Sequence, residues 1–257
     1  MTDLLTLYDH DLRIAHTIPG VHKEVLPTLV RFMRPAPGMN YVAYSHLVGQ
    51  DLDAIIEEQI AYFSNFEQPF SWHVCDHDLP ADLQTRLFKH GFKPDDDPDA
   101  VMILDLEKAP QILLEPASRV RLVTSESELD EVIAVEEQVW GGQFGWLKQR
   151  LAAHMVIPDY LSIYVAHLNA RPVASGWVFF NRDSAFASLY GGSTVAAYRN
   201  QGFYTAVLAA RVQEARARAY RYLMTGASTM SRPILEHYGF EFLTYHYSLE
   251  WQGRQNK

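Results

Sequence analysis

The chain has one cysteine, Cys75, among 257 residues. That excludes an intrachain disulfide, and with no Cys-x-x-Cys pair it removes the usual start of a zinc or redox-dithiol motif. No apolar run reaches the roughly 20 residues that a membrane-crossing helix needs. The N-terminus, Met1-Thr2-Asp3, shows no basic segment followed by an apolar one, so no export signal and a cytoplasmic location are expected. Basic residues are in the minority, 22 Lys and Arg against 31 Asp and Glu, for a net charge of −9. A general nucleic-acid binder would show the opposite balance. Three local signatures are also missing: the Gly-Lys-Ser/Thr ending of a nucleotide P-loop, the Gly-x-Gly-x-x-Gly of a dinucleotide fold, and the Gly-x-Ser-x-Gly elbow of a hydrolase.

An apolar fraction of 48 % is ample for a sizeable core. The length suggests one large or two ordinary domains. The most informative stretch is Thr194-Val195-Ala196-Ala197-Tyr198-Arg199-Asn200-Gln201-Gly202-Phe203-Tyr204. It follows an expected strand, Ser184 to Tyr190, and opens an expected helix, Gly202 to Arg218. A strand that turns tightly into a helix aims unpaired N–H groups and the positive end of the helix dipole at one point, a seat for phosphate. Arg199 adds a cation, and Gly202 removes a Cβ where an oxygen would approach the backbone.

A second segment follows, Ala227-Ser228-Thr229-Met230-Ser231-Arg232-Pro233-Ile234-Leu235-Glu236-His237-Tyr238-Gly239-Phe240. It reads as a strand end, a short helix capped by Ser231 with Pro233 in its first turn, and a closing Gly239. With these two segments in this order, the chain from about Arg119 to Trp251 resembles the GCN5-related N-acetyltransferase (GNAT) family. The family's Val-x-Pro-x-Tyr-Arg-x-x-Gly-x-Gly/Ala motif is similar to Thr194 through Tyr204, and its short helix ending in Gly-Phe is similar to the segment ending Gly239-Phe240.

The resemblance implies that acetyl-CoA is the co-substrate. Gly192, Ser193 and Thr194 would pair with the pantetheine arm, and Arg199, Asn200, Gln201, Gly202, Phe203, Tyr204 and Thr205 would hold the pyrophosphate. Ser228 falls where family members often carry a cofactor-contacting Asn. Trp140, Phe144 and Tyr190 are candidates to line the acceptor pocket, with Trp146 beside them. The departures are Ala196 for Pro, Tyr204 for a small residue, Leu235 where members carry a Tyr acid, and Leu223 near the place of a carboxylate base. No catalytic residue carries over, and neither His237 nor Tyr238 takes the missing role, since one helical step turns a side chain by about 100°. Arg211, Arg216, Arg218 and Arg221 give the long helix a basic C-terminal end, which suits dipole compensation.

The expected fold is α+β, a mixed sheet flanked by helices, in two parts: a degenerate GNAT-like domain over 1–115 and a GNAT domain over 116–257. Phe88-Lys89-His90-Gly91-Phe92 and Glu236-His237-Tyr238-Gly239-Phe240 look like one element used twice. The first part has no Arg-x-x-Gly loop before its expected helix, Leu52 to Phe63, so only the second part is expected to bind cofactor. Ser125 and Glu128 form a capping box opening a helix through Val139. His73, Cys75 and His77 share a strand face, but no fourth ligand accompanies them and no metal is expected. Asp95 to Asp99 lacks the spacing of a calcium loop.

Two functions follow from the resemblance. One is direct transfer of an acetyl group from acetyl-CoA to a small-molecule or peptide amine. The other is a non-catalytic CoA-binding or interaction protein on the same scaffold. The partners expected are acetyl-CoA and an amine, with no nucleic acid and no membrane; a homodimer is left open.

Overall fold

The computed structural model describes residues 3–35, 38–66, 68–116 and 118–251; Met1 and Thr2, named above, lie outside them. The first half runs α1 (Leu4–Tyr8), a π-helical turn (Asp9–Ile14), β1 (His22–Val25), β2 (Leu29–Met33), β3 (Asn40–Ser45), α2 (Leu52–Phe63), β4 (Phe70–Cys75), α3 (Leu83–Lys89), β5 (Phe92–Pro94) and β6 (Asp99–Asp105). The second runs β7 (Val120–Leu122), α4 (Leu129–Trp140), α5 (Gly145–Met155), β8 (Leu161–Leu168), β9 (Arg171–Phe180), β10 (Phe186–Thr194), α6 (Phe203–Ala217), β11 (Tyr222–Ala227), α7 (Arg232–His237) and β12 (Glu241–Trp251). This is an α+β chain with mixed sheets. The long helix lies within one residue of its expected place, while the strand before it continues four residues further, through Thr194.

The chain divides into two units that are not continuous in sequence: 1–101 with 226–232 and 242–257, and 102–225 with 233–241. In the first unit the strand order is β1-β2-β3-β4-β12, with β5 also paired to β12. β3 and β4 are parallel, joined through α2, and β12 is antiparallel to β4. In the second the order is β6-β11-β10-β9-β8-β7, with β10 and β11 parallel across α6 and the rest of the meander antiparallel. Each unit is thus a meander followed by a helical crossover to a parallel neighbour.

The closing strands are the surprise. Residues 242–251 of β12 close the first unit, and Met102–Asp105 of β6 stands beside β11 in the second. β6 carries the apolar content of a buried sheet member, with Met102 to Leu104 all at most 3 % exposed, while β12 buries Thr244 and Leu249. A period-two pattern says that a segment is a strand, not which sheet receives it.

Local chemistry explains the elements around the site. Glu128 accepts a hydrogen bond from the Ser125 N–H at 3.1 Å and from the Thr124 N–H at 2.7 Å, so α4 is entered through the expected capping box and a 3-10 turn. Leu129, Val132 and Ile133 then meet α5 and β8 in one core of the second unit. On the other face of that sheet Phe203 and Val207 of α6 cover Ala166, Val173 and Ala174. Gly239, at φ +85°, closes α7 with the Phe240 N–H bonded back to the Leu235 carbonyl at 3.1 Å. Gly91, at φ +94°, closes α3 in the first unit at the matching place.

Leu249 of β12 is fully buried in the same core as Trp72 of the first unit. Leu249→Ala is expected to cost about 2–5 kcal/mol. The loss should appear in urea unfolding followed through the first unit's buried tryptophan, although position 249 lies in the last ten residues of the sequence. Unchanged unfolding of that unit would contradict this placement of the strand.

Candidate functional site

The site begins with a bulge in the second unit. Opposite β9, Tyr190 pairs with Trp177 and Ser193 with Ser175, so Gly191 and Gly192 together face the single residue Gly176. The first of the two must be glycine. Gly191 is at φ +62°, and a Cβ there would lie 1.9 Å from the Trp177 ring. A Cβ on Gly192 would approach Tyr204 to 3.2 Å.

Successive strand residues face opposite sides of a sheet. Here the two sides carry opposite charge. On the α4 side, Ser175 donates to Glu136 Oε1 at 2.7 Å and Ser193 donates to Glu136 Oε2 at 3.0 Å. The Trp140 indole N–H donates to Ser193 Oγ at 3.1 Å. Burial pushes the Glu136 carboxyl above its ordinary range, against the pull of the hydrogen bonds from Ser175, Ser193 and Trp140. On the α6 side, a Cβ on Gly176 would lie 2.9 Å from the Arg211 guanidinium carbon. Arg211 is 2 % exposed and donates to the carbonyls of Val207, Trp177 and Tyr190 at 3.2, 3.5 and 3.3 Å. Burial lowers its pKa to about 10.

Just before the bulge, β10 and β11 part. Their pairing runs from Phe186↔Tyr222 to Ser188↔Met224, after which the Thr225 hydroxyl reaches the Leu189 carbonyl at 3.3 Å. The edge from Tyr190 to Thr194 that faces β11 therefore makes no ladder among the described residues. Thr194 Oγ1 on this stretch is buried without a hydrogen-bond partner, and a buried unpaired hydroxyl is costly.

The strand then enters the motif loop. Ala196–Tyr198 is a 3-10 turn, and Asn200 and Gly202 are both left-handed, at φ +60° and +80°. The first helical bond onto this turn runs from the Ala206 N–H to the Gly202 carbonyl at 3.0 Å. The N–H groups at the front of α6 precede any helical acceptor, as at every helix start. Arg199 is exposed, its Nε donating to the Thr194 carbonyl at 3.3 Å. Arg119 donates to the Gln201 carbonyl at 3.1 Å and lies over the Phe203 ring, bringing a second cation to the loop from 82 residues away.

The expected residues divide as follows. Gly192, Ser193, Thr194, Arg199, Asn200, Gln201, Gly202, Phe203, Tyr204 and Thr205 form one continuous path in the second unit. Phe203 is a buried core residue rather than an exposed one. Thr205 Oγ1 and the Tyr238 hydroxyl are 2.5 Å apart, so the segment after α7 does reach the start of α6. Ser228 belongs to the first unit, where its carbonyl accepts the N–H groups of Ser231 and Arg232 at 3.1 and 2.9 Å. Trp140 and Tyr190 are 64 % and 51 % exposed, and Trp140 is tied to Ser193. Phe144 is half-buried against the α4–α5 core.

The basic end assigned to α6 needs correction. Arg211 is buried under the bulge, Arg218 pairs with Glu214 at 2.6 Å, and Arg221 pairs with Asp105 at 2.8 Å. Leu223 and Leu235 are buried apolar residues and supply no acid or base. Sequence reasoning missed Glu136, Arg211 as a buried group, and Arg119. In the first unit, His73 and Cys75 join no potential metal group among the described residues; His77 instead meets Asp9 and Asp78, whose carboxylates already bond Arg13.

Among solved structures, a GCN5-related N-acetyltransferase from Kribbella flavida matches with a TM-score of 0.68 at 16 % identity, over 91 % of this chain and 90 % of that one. The fold is GNAT-like. A tandem GNAT protein from the clavulanic acid biosynthesis pathway matches with a TM-score of 0.57 at 13 % identity, over 92 % and 85 % of the two chains. A functionally unknown conserved protein from Staphylococcus epidermidis matches at 0.67 and 14 %, over 95 % and 97 %. No protein-family model matches the sequence, and no curated protein matches it. In this GNAT-like fold the bulge and the parted strands fall on the path that the sequence motif marks.

Gly191→Ala combines a left-handed φ with a clash against a buried indole. It is expected to cost at least about 2 kcal/mol in urea unfolding. A variant as stable as the wild type would show that the bulge is not held as described.

Proposed function

We propose that the second unit binds acetyl-CoA and passes its acetyl group directly to an amine. The observation that carries this reading is Thr194 Oγ1, a buried hydroxyl with no partner on the strand edge that leads into the left-handed turn at Asn200 and Gly202. An extended amide chain laid along that edge would meet the strand beyond the last β10–β11 pair and the hydroxyl. Its phosphates would meet the start of α6 with Arg199 and Arg119 beside it. Gly192, Ser193 and Thr194 would hold the arm, and Asn200 to Thr205 the pyrophosphate. The bound thioester supplies the activated acetyl group. The amine must arrive neutral, and its nitrogen forms the new C–N bond as the C–S bond breaks. The exposed rings of Trp140 and Tyr190, with Phe144, are the proposed acceptor wall, and the acceptor is a small-molecule or peptide amine.

The solved neighbours that are acetyltransferases support the general reaction, and the low identity leaves the acceptor to experiment. The two halves are proposed to be a degenerate GNAT-like domain over 1–115 and a working one over 116–257, with their closing strands exchanged. In the first unit, the gap beyond the last β3–β4 pair, Val42↔Trp72, is met by Arg13, whose Nε donates to the Ala43 carbonyl at 3.2 Å. Arg13 is fixed there by Asp78 at 2.6 and 2.7 Å. Asp9 also binds this guanidinium, at 2.7 Å, so Arg13 is held in the first unit by two carboxylates.

Acetyl-CoA titrated into the protein by calorimetry should bind in the micromolar range. Gly202→Glu and Arg199→Glu, each placing an anion at the loop, should weaken binding at least tenfold without loss of fold by circular dichroism. Absence of binding by the wild type would overturn the reading in favour of an interaction role.

A further inference from the structure

Glu136 is the one buried carboxylate at the bulge, and the acetyl-transfer reading gives it no task. Its helix position lies on the apolar stripe set by Leu129, Val132 and Ile133, where a leucine would serve the core better. It is 4 % exposed, and the groups that meet its two oxygens are hydroxyls and an indole rather than a cation. Among the described residues, β9 turns Ser175 toward it, β10 turns Ser193, and its own helix turns Trp140. Arg211 lies on the other face of the sheet. Lys148 of α5 pairs with Asp130, and Glu131 pairs with Arg121 and His167. Glu137, the next residue on α4, is exposed and accepts from the Phe144 N–H at 3.3 Å. A buried ionised carboxylate without a counter-ion reduces stability, and a fold retains such a group where it has work to do.

We propose that Glu136 takes the proton of the incoming amine through the Ser193 hydroxyl. This rests on the second unit being the acetyl-transfer site. Ser193 Oγ is one hydrogen bond from Glu136 Oε2, and Ser193 follows the exposed Gly192 on the strand where the thioester would lie. The ammonium gives one proton to Ser193 Oγ as the hydroxyl proton moves to Glu136, leaving a neutral amine, a hydroxyl and a carboxylic acid. The nitrogen lone pair then forms the C–N bond. The C–S pair leaves with sulfur, which receives the second proton of that nitrogen. Glu136 returns its proton by the same relay to solvent. The Trp140 indole, bonded to Ser193, fixes the hydroxyl rotor so that its proton points at the carboxylate. Glu136 acts at one remove from the substrate and is a positioning residue in that sense.

The role predicts a pattern that packing alone does not. Burial raises the carboxyl's pKa, so the folded chain holds that proton more tightly than the unfolded one. Stability therefore falls as pH rises from the ordinary carboxylate range through the raised value. Glu136→Gln escapes that loss and should melt higher than wild type at pH 7, with the gap closing below about pH 4.5. Its acetyl-CoA affinity by calorimetry should stay within about twofold. Thiol release with a panel of primary amines should fall about 10²- to 10⁴-fold, and the acidic limb of the wild-type pH profile should vanish. Ser193→Ala should fall comparably and the double variant no further, as for one relay. The Trp140 indole N–H resonance should titrate in wild type and not in Glu136→Gln. Wild-type turnover in Glu136→Gln, or a fall in turnover accompanied by a lower melting temperature, would overturn the relay. If acetyl-CoA binds but the wild type acetylates no amine, the relay falls and the cofactor reading stands. If acetyl-CoA does not bind, both fall.

Discussion

The second unit depends on one unusual arrangement: two charges of opposite sign buried on the two faces of a single β-bulge. Glu136 holds the side chains of Ser175 and Ser193 on one face, and Arg211 holds the carbonyls of Trp177 and Tyr190 on the other. Neither has a side-chain counter-ion among its described partners. Each is satisfied by dipoles that belong to the strands themselves, so the charges fix the backbone rather than each other. The three glycines at 176, 191 and 192 are the other half of the arrangement, because a Cβ at any of them would press against Arg211, Trp177 or Tyr204. The β10–β11 ladder ends at Ser188, just before the bulge, and the left-handed turn at Asn200 and Gly202 follows the strand.

The same divergence of parallel strands occurs in both units and is resolved differently. In the first, the N-terminal π-helical turn delivers Arg13 to the Ala43 carbonyl, with Asp78 and Asp9 balancing its charge. The His77 ring bridges Asp9 at 2.9 Å and the Thr244 hydroxyl at 3.1 Å, extending the network to β12. In the second, Arg211 reaches the Tyr190 carbonyl at 3.3 Å, and Thr194 Oγ1 is left with its hydrogen-bonding capacity unused. Both units thus set a buried guanidinium on a carbonyl beyond the last parallel pair, and they differ in that Arg13 is paired with carboxylates while Arg211 meets carbonyls.

Much of this was legible in the sequence wherever the cause is local. The capping box at Ser125 and Glu128, the turn before α6 and the closing glycine at 239 each depend on neighbours within a few residues, and each stands where expected. The path from Gly192 to Thr205 was legible for the same reason. Glu136 was not, because its meaning lies in partners 39 and 57 residues away. A signal for it did exist: a carboxylate on the stripe of Leu129, Val132 and Ile133. Arg211 carried the same signal among Val207, Leu208, Val212 and Ala215, all buried, and reading it as a helix-end charge overlooked that stripe. The assignment of β12 to the first unit and of β6 to the second had no signal at all, since alternation is equally satisfied in either sheet.

Charge on an apolar stripe therefore separates two kinds of buried ion in this chain. Arg211 needs no partner beyond carbonyls that cannot titrate, so its role is fixed geometry at any ordinary pH. Glu136 is bonded to hydroxyls that can both donate and accept, and such a hydroxyl can pass a proton in either direction. The asymmetry follows from hydrogen-bond chemistry: a guanidinium has only donors and a carbonyl only lone pairs, whereas a carboxyl and a hydroxyl can exchange roles. One face of the bulge is built to hold the strand still. The other is built from groups that can change protonation without moving it.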